Sequence, residues 1–467
     1  MDALQRILKI AMIPSDALDS EGSWDAVLFV CGEFRFMWMA SRGVELSTSA
    51  TIYEGNRGLS PASDGVFAPF YRASSISPFE LDATLEQWGT AAERSDRLSI
   101  QPGDVILKRV APVVAAVVPV GLPTLPVDAS FFAIRGLAEP DAWWAAFCLN
   151  YPACADYLLS KSGRGVLSRV SLSVLRGWTL PKMPADFARR ARRLGELLQK
   201  RAFLAGRIAA LEAAVEMAVA EQMATTAYED TEARFAQPSW SCFFPAVLAE
   251  DSWHPTHVAS TYRATALRRD RDWRPLSSFL LPAPPSRNRL SRADTPVAVL
   301  RLSDIDQVPL VPESLVPSVP AQANRVYSEP LHAEDVVLST LGSSPRVAFM
   351  SSSPQAPVYA VDHWERLRFR AHAAAFALIL QTGAVTRQLR SFASGSVQQF
   401  IRPEDIQRLF LPVLPEETLA QWDRSFRSLA KSWQQTEADW QSALRDGWQV
   451  FARAFNLSPS EAFPHHP

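Results

Sequence analysis

Leu411-Pro412-Val413-Leu414-Pro415 decides the fold, because a long helical pattern begins directly after it. Proline ends the element before it and suits the first turn of the helix that follows. From Leu419 onward, apolar residues and one threonine recur at steps of three and four, which is the spacing of one buried helix face. These residues are Leu419, Trp422, Phe426, Leu429, Trp433, Thr436 and Trp440. The pattern predicts a domain boundary and then a long helix that needs a partner.

The same arrangement occurs 231 residues earlier, where Leu180-Pro181-Lys182-Met183-Pro184 precedes a second helical pattern. Its apolar stripe consists of Leu194, Leu197, Leu204, Ile208, Leu211 and Val215. Charged residues flank this stripe, namely Arg189, Arg190, Arg192, Arg193 and Glu196. Each helix therefore has one apolar face. We expect the two helices to pack against each other in antiparallel orientation.

Other stretches of the two halves match at almost the same offset. Pro102-Gly103-Asp104-Val105-Ile106-Leu107 corresponds to Ala333-Glu334-Asp335-Val336-Val337-Leu338, and both read as a turn that enters a buried strand. Tyr71–Ile76 corresponds to Leu300–Ile305, with the offset reduced to 229. The chain is thus predicted to contain two copies of one plan, each a strand-rich domain followed by a long helix.

Length and charge limit the possible classes of protein. A chain of 467 residues is too long for one ordinary core and suits two or three domains. Its 47 basic and 49 acidic residues give a net charge of -2, which excludes a uniformly basic nucleic-acid wrapper or a polybasic membrane binder. Any basic surface must be local.

Metal, secretion and membrane signals are absent from the sequence. Cys31, Cys148, Cys154 and Cys242 form no CxxC pair, so they read as small buried residues in a reducing compartment. The seven histidines all follow residue 250 and have no metal-ligand spacing. The most apolar stretch, 111–127, is interrupted by four prolines and predicts strands and turns. We expect a cytoplasmic protein with no metal and no membrane partner.

The order of elements resembles the specificity subunit of type I restriction-modification systems. In the second half the resemblance rests on Trp273–Leu276, Val299–Ile305, Glu334–Leu338, Ser394–Ile401 and Leu409–Pro415. The first half departs more from the family pattern, because Gly165-Val166-Leu167-Ser168 stands where the glycine- and glutamine-containing loop is expected.

The resemblance implies an α+β fold, with two pseudo-repeated mixed α/β target-recognition domains separated by two long antiparallel, coiled-coil helices. The corresponding division is an N-terminal arm (1–23), target-recognition domain 1 (24–184), spacer helix 1 (185–235), target-recognition domain 2 (236–415), spacer helix 2 (416–457) and a tail (458–467).

In function, the resemblance implies a subunit of a restriction-modification or methyltransferase-based phage-defence complex that reads a bipartite DNA target. Its partners would be double-stranded DNA, DNA adenine methyltransferase subunits and a restriction or translocase subunit. No catalytic residue and no cofactor are expected.

A search of the sequence for catalytic signatures agrees with a non-catalytic role. The chain has no G-x-x-x-x-G-K-[ST] phosphate loop and no G-x-S-x-G elbow. It also lacks the Asn/Asp-Pro-Pro-aromatic motif of amino-group methyltransferases. None of its six lysines has an acidic residue two positions earlier, as the common metal-dependent nuclease signature requires.

Candidate DNA contacts are densest in an arginine-rich stretch between Tyr262 and Ala293, where two aspartates oppose eight arginines. The eight are Arg263, Arg268, Arg269, Arg271, Arg274, Arg287, Arg289 and Arg292. Arginine binds phosphate or the edge of guanine with two hydrogen bonds. The other interpretation is an ordinary polar surface, since 41 of the 47 basic residues in this chain are arginines.

Two loops at equivalent places in the repeat supply further candidates, Arg164 in the first and Gln398 and Gln399 in the second. Arginine can neutralise a phosphate and glutamine can read adenine, although an ordinary turn explains the loops equally well. Arg57, Arg72 and Arg301 complete the set. The alternative function is a non-catalytic protein-interaction scaffold of a defence complex that has lost base-specific readout.

Overall fold

The computed structural model describes residues 43–57, 60–61, 67–81, 87–90, 98–122, 124–162, 169–224, 272–282, 297–305, 308–312, 315, 329–341, 346–354, 356–361, 363–392, 400–455 and 457. These residues divide into two compact units. Unit 1 holds those up to Phe203 together with those from Thr436 onward, and unit 2 holds Leu204–Gln435. Unit 1 therefore combines two separate stretches of the chain, whereas unit 2 is one continuous stretch.

The elements of the first half follow one another in this order: β1 (Val44–Glu45), α1 (Leu46–Ser49), β2 (Thr51–Glu54), β3 (Ser60–Pro61), β4 (Phe67–Phe70), β5 (Ile76–Ser77), β6 (Glu80–Leu81), β7 (Gln87–Thr90), β8 (Val105–Lys108), β9 (Ala115–Val117), β10 (Phe131–Arg135), α2 (Glu139–Asn150), α3 (Pro152–Lys161), α4 (Leu172–Gly177), β11 (Thr179–Leu180) and α5 (Phe187–Ala224). The central sheet has the order β2-β10-β8-β9 and its neighbours are antiparallel.

The second half continues with β12 (Trp273–Pro275), β13 (Ala298–Leu300), β14 (Asp335–Ser339), β15 (Val347–Phe349), β16 (Val358–Ala360), β17 (Trp364–Arg368), α6 (Ala373–Ile379), α7 (Gly383–Phe392), α8 (Pro403–Ile406), β18 (Phe410–Pro412) and α9 (Glu416–Phe455). Its central sheet has the order β15-β14-β17, again antiparallel. This is the predicted α+β fold class.

Both faces of each central sheet are buried, which explains the nearly continuous apolar runs of β8 and β14. In unit 1, Val105 and Leu107 join a core with the helices, whereas Ile106 points into a second core on the other face. In unit 2, Val336 and Val337 likewise belong to two different cores, one on each face of the sheet. Alternate residues of a strand point to opposite faces, so an apolar strand of this kind needs cover on both sides.

The turn before each central strand is the same in both units. Gly103 (φ 86°) and Glu334 (φ 76°) both adopt the left-handed backbone conformation. The next residue, Asp104 or Asp335, is buried and accepts a hydrogen bond from the backbone N–H three residues earlier, at 2.8 and 2.9 Å. The matching offset of 231 residues predicted this correspondence.

An ion pair completes each turn. Asp104 binds Arg135 of β10 through both carboxylate oxygens, at 2.9 and 2.7 Å. Asp335 binds Nε of Arg368 of β17 at 2.8 Å. The pair ties the turn to the neighbouring strand of the sheet in both units.

The two long helices bury the seams that the sequence predicts. All seven seam residues of α9 are buried, and so are all residues of the α5 stripe except the half-buried Leu211. Within unit 1, Asp186 lies 3.6 Å from Arg453 and Arg201 lies 2.8 Å from Glu437. Residue numbers rise on one helix as they fall on the other, so these parts of the helices are antiparallel, as expected. The predicted continuation of the first helix to residue 235 lies outside the described residues.

Glu212 of α5 is half-buried in unit 2, and loss of contact with water raises the pKa of its carboxyl group from 4.5 to about 7. The folded protein thus holds this proton more tightly than the unfolded chain does. Its stabilising contribution is full below about pH 4.5 and is lost as the pH rises through 7. Glu212→Gln should remove this loss and make the protein more stable than wild type at pH 8, by up to about 3 kcal/mol.

Urea unfolding of both proteins across this pH range measures the difference. The control is the same change at Glu221, an exposed glutamate on the same helix. A constant offset between Glu212→Gln and wild type at every pH would contradict the prediction.

Candidate nucleic-acid interface

The structure describes only some of the predicted DNA-contact residues. Ten of the fourteen candidates lie outside the described residues, namely Arg164, Arg263, Arg268, Arg269, Arg271, Arg287, Arg289, Arg292, Gln398 and Gln399. The other four, Arg57, Arg72, Arg274 and Arg301, are described. The ends of the two candidate loops are described as well, and they show how each loop is held.

In unit 1 the candidate loop 163–168 lies between Ser162, which follows α3, and Arg169. Val110 and Arg169 form an antiparallel bridge, and the N–H of Val170 donates to the carbonyl of Arg109 at 2.7 Å. The hydroxyl oxygen of Ser162 accepts from the N–H of Ser171 at 2.9 Å, which joins the two ends of the loop. The loop is therefore anchored where the chain leaves the central strand β8.

In unit 2 the loop 393–399 is anchored at the equivalent place. Leu341 and Phe400 form an antiparallel bridge, and the N–H of Ile401 donates to the carbonyl of Thr340 at 2.9 Å. These residues follow the central strand β14 just as Arg109 and Val110 follow β8. The two candidate loops thus leave their sheets at matching positions.

Exposed cations lie on both sides of each loop. In unit 1, Lys161 ends α3 and Arg169 follows the loop, and both are exposed. In unit 2, Arg390 lies in the last turn of α7 and Arg402 follows the loop, and both are exposed. The position of Lys161 and Arg390 near helix C-termini also suits the helix dipole. Together the four form two loop rims, each with a cation at either end.

Sequence reasoning missed these four residues, because it weighted arginine density and the loop residues themselves. A sequence signal was available. In both halves, one cation lies within three residues before the candidate loop and another lies within three residues after it. Such pairing has meaning only once the residues after the two loops are known to pair at equivalent places, next to β8 and β14. The rims therefore belong to the candidate interface together with the loops.

In unit 1, Arg57 and Arg72 belong to two segments that both bond to residues 126–128. The segment 126–128 lies between them, since Asn56 donates to the carbonyl of Val127 and Tyr71 donates to that of Pro126, both at 2.9 Å. Arg57 and Arg72 each follow one of these two anchoring residues. This arrangement could not be predicted from the sequence, because it depends on pairing between distant segments.

The charge of Arg57 is only partly engaged. Its guanidinium lies 3.5 Å from Glu54, but Glu54 also binds the buried Arg109 at 2.5 Å. The hydrogen bond from Arg109 is the main cause of the lowered pKa of Glu54. The side chain of Arg57 remains 82% exposed and is therefore accessible to a ligand.

Arg72 and Arg301 occupy the same place in the repeat. Each precedes a single 3-10 turn, and its backbone N–H donates to the side chain three residues on, Ser75 at 3.2 Å and Asp304 at 2.6 Å. Arg301 is exposed and Arg72 is half-buried. Arg274 is exposed on β12, where it pairs with Leu411 of β18.

The described residues contain no cluster of three or more potential metal ligands. Within the same part of the chain, no helix has the length and apolar character needed to cross a membrane. Cys148 and Cys154 are buried, as predicted, and burial raises the pKa of both thiols. Cys31 and Cys242 lie outside the described residues.

No family model matches the chain, and no curated protein matches it. Among solved structures, it is similar to the S subunit of the type I restriction-modification system from M. genitalium, with 10% identity and a TM-score of 0.38 over 91% of this chain and 96% of that one. It is similar to the HsdS subunit from Thermoanaerobacter tengcongensis, with 17% identity and a TM-score of 0.26 over 88% and 95%.

A third similar chain comes from a structure that describes complex assembly and conformational transition of the type I R-M system, with 17% identity and a TM-score of 0.24 over 88% and 96%.

Proposed function

We propose that this chain is a non-catalytic DNA-recognition subunit of a type I-like restriction-modification or methyltransferase-based phage-defence complex. In this proposal each unit reads one half of a bipartite target. The chain docks DNA adenine methyltransferase subunits, which carry out the chemistry, and a restriction or translocase subunit is a further partner. The chain itself needs no cofactor and acts in the cytoplasm.

The observation that carries the proposal is the repetition of the candidate site. In both units the chain that leaves the central strand pairs with the residue after the candidate loop, Arg169 or Phe400, and exposed cations lie on both sides of each candidate loop. Two equivalent reading surfaces in one chain suit a target made of two half-sites, because each surface can contact its own stretch of duplex.

The residue types at these surfaces suit DNA. Lys161, Arg169, Arg390 and Arg402 can neutralise phosphates, which sets affinity and position along the duplex. Gln398 and Gln399 in the second loop can form the paired hydrogen bonds that distinguish adenine, and Arg164 can pair with phosphate or guanine. Phosphate contacts at the rims and base contacts from the loops are separate tasks, so they can be tested separately.

The proposal predicts that changes in one loop relax only one half of the target. Selection of duplexes from a random library should give two short motifs at a constant separation for the wild-type chain, assayed with its methyltransferase. Gln398→Ala with Gln399→Ala should relax one motif at a cost of about 1 to 3 kcal/mol for each paired base contact that is lost. Arg164→Ala should affect only the other motif.

The matched control is Arg424→Gln with Lys431→Gln, which removes two exposed cations from α9 and should leave both motifs unchanged. If no motif is enriched by the wild-type complex, the chain is an interaction scaffold and the proposal fails. Methyl transfer by the purified chain alone would contradict its non-catalytic role.

A further inference from the structure

Four exposed cations follow one another along a single face of α5 within unit 1. They are Arg189, Arg192, Arg193 and Lys200. Positions three, four, seven and eleven residues apart share one side of a helix, and with a rise of 1.5 Å per residue the row is roughly 16 Å long. The candidate interface described above does not include this face.

The charges on this face are not used inside the described part of the chain. None of the four cations has a carboxylate within ion-pair distance among the described residues. Their neighbour Arg190 differs, because it lies 3.4 Å from Asp186. Glu196 is the one acidic residue among the exposed positions from Arg189 to Lys200, so the face keeps a clear positive charge.

Folding of the helix does not explain these arginines. The N-terminal end of a helix carries a partial positive charge, so cations in its first turns cost stability and acids add about 0.3 to 1 kcal/mol each. The equivalent start of α9 follows this rule with Glu416 and Glu417. The first turn of α5 has no acidic residue, and four arginines lie within the five positions 189–193. An anionic partner outside the chain would account for this placement.

The composition of the face indicates which anion. Its exposed positions from Arg189 to Lys200 are all polar, the remaining two being Glu196 and Gln199. Stable protein–protein interfaces need apolar or aromatic anchors at their centre, whereas interfaces with nucleic acid are polar and positively charged. The forked guanidinium group also binds phosphate oxygens in pairs.

We propose that the Arg189–Lys200 face of α5 binds the phosphate backbone of double-stranded DNA without regard to base sequence. This surface is separate from the loops, so it adds a contact that does not depend on base reading. It raises the affinity of the chain for any duplex and holds the DNA in place while the loops read it.

The test compares two triple variants of the full-length chain, each lacking three exposed helical cations. The first is Arg189→Gln, Arg192→Gln and Arg193→Gln, and the control is Arg424→Gln, Lys431→Gln and Arg445→Gln on α9. Binding to a short labelled duplex of arbitrary sequence is measured at several salt concentrations. A polyglutamate peptide is the probe for an acidic protein partner, and circular dichroism checks that both variants are folded.

Each phosphate contact contributes about 0.9 to the slope of log affinity against log salt. Loss of three contacts should therefore flatten the slope by about 2.7, so that between 50 and 200 mM salt the wild type loses about 40-fold more affinity than the first variant. The control should keep the wild-type slope.

Equal slopes for the two variants would overturn the proposal. Loss of polyglutamate binding with unchanged duplex binding would also overturn it, in favour of an acidic protein. Failure of the proposed base reading leaves this result untouched, because the duplex has no chosen sequence.

Discussion

Replacing Asp335 with alanine should lower the free energy of unfolding by about 3 to 5 kcal/mol. The side chain of Asp335 is almost fully buried, and it accepts from Arg368 at 2.8 Å and from the backbone of His332 at 2.9 Å. Its removal leaves a partly buried guanidinium and the N–H of the turn without their acceptor. Urea unfolding gives the change, and a shift of less than 1 kcal/mol would show that the turn does not depend on this pair.

The repeat supplies the matched comparison for this experiment. Asp104 makes the same contacts in unit 1, with Arg135 at 2.7 Å and the N–H of Gln101 at 2.8 Å. Asp104→Ala should therefore cost a similar amount. The exposed Glu196 is the control, and its replacement by alanine should change stability by less than about 0.5 kcal/mol.

Replacing Arg201 with methionine should destabilise unit 1 by about 3 to 5 kcal/mol at neutral pH. The buried guanidinium of Arg201 lies 2.9 Å from Glu80 and 2.8 Å from Glu437, and it stacks 5.2 Å from the ring centre of Trp440. Without it, the two half-buried carboxylates lose the cation that they share. The repulsion between the two negative charges is then no longer balanced by a cation and opposes folding.

The pH dependence separates this explanation from a simple loss of packing. The deficit of Arg201→Met should shrink as the pH falls toward 4, because protonation removes the charge from both carboxylates. Adding Glu80→Gln and Glu437→Gln to the variant should recover much of the lost stability at pH 7. A deficit that is the same at both pH values, with no recovery, would point to packing alone.

The sequence predicted the features of this fold that depend on local spacing. The seam from Leu419 to Trp440 could be read from steps of three and four, because a buried helix face imposes that period. The equivalent turns at Asp104 and Asp335 followed from the repeat. Both are short-range patterns, and the structure confirms the burial and the turn geometry that they predicted.

Features that depend on distant parts of the chain were not predicted. Arg201 binds Glu80, 121 residues earlier, and nothing in the helical pattern around Arg201 indicates this partner. Periodicity shows that a helix face is buried but not what covers it, so the division of α5 and α9 between the two units was not foreseen. The loop rims were missed for the same reason, since Arg169 and Arg402 gain meaning only from the closure of each loop on its sheet.

The composition of unit 1 from two distant stretches of chain has a consequence for its synthesis on the ribosome. Its core includes Trp143 and Trp144 of α2 together with Trp440, Trp448 and Phe451 of α9. The last three are made only after all of unit 2, Leu204–Gln435, has been translated. At about 5 to 20 residues per second this delay is on the order of ten to fifty seconds.

During that interval the nascent chain has two indole rings and several phenylalanines without their final cover. An incomplete aromatic core of this kind is prone to aggregation, so the yield of folded protein is sensitive to translation speed and to chaperone supply while the second unit is being made. A premature stop codon before Thr436 removes part of the hydrophobic core of unit 1 as well as the end of the second helix. Truncated chains of this type should be degraded rather than accumulate as soluble first units.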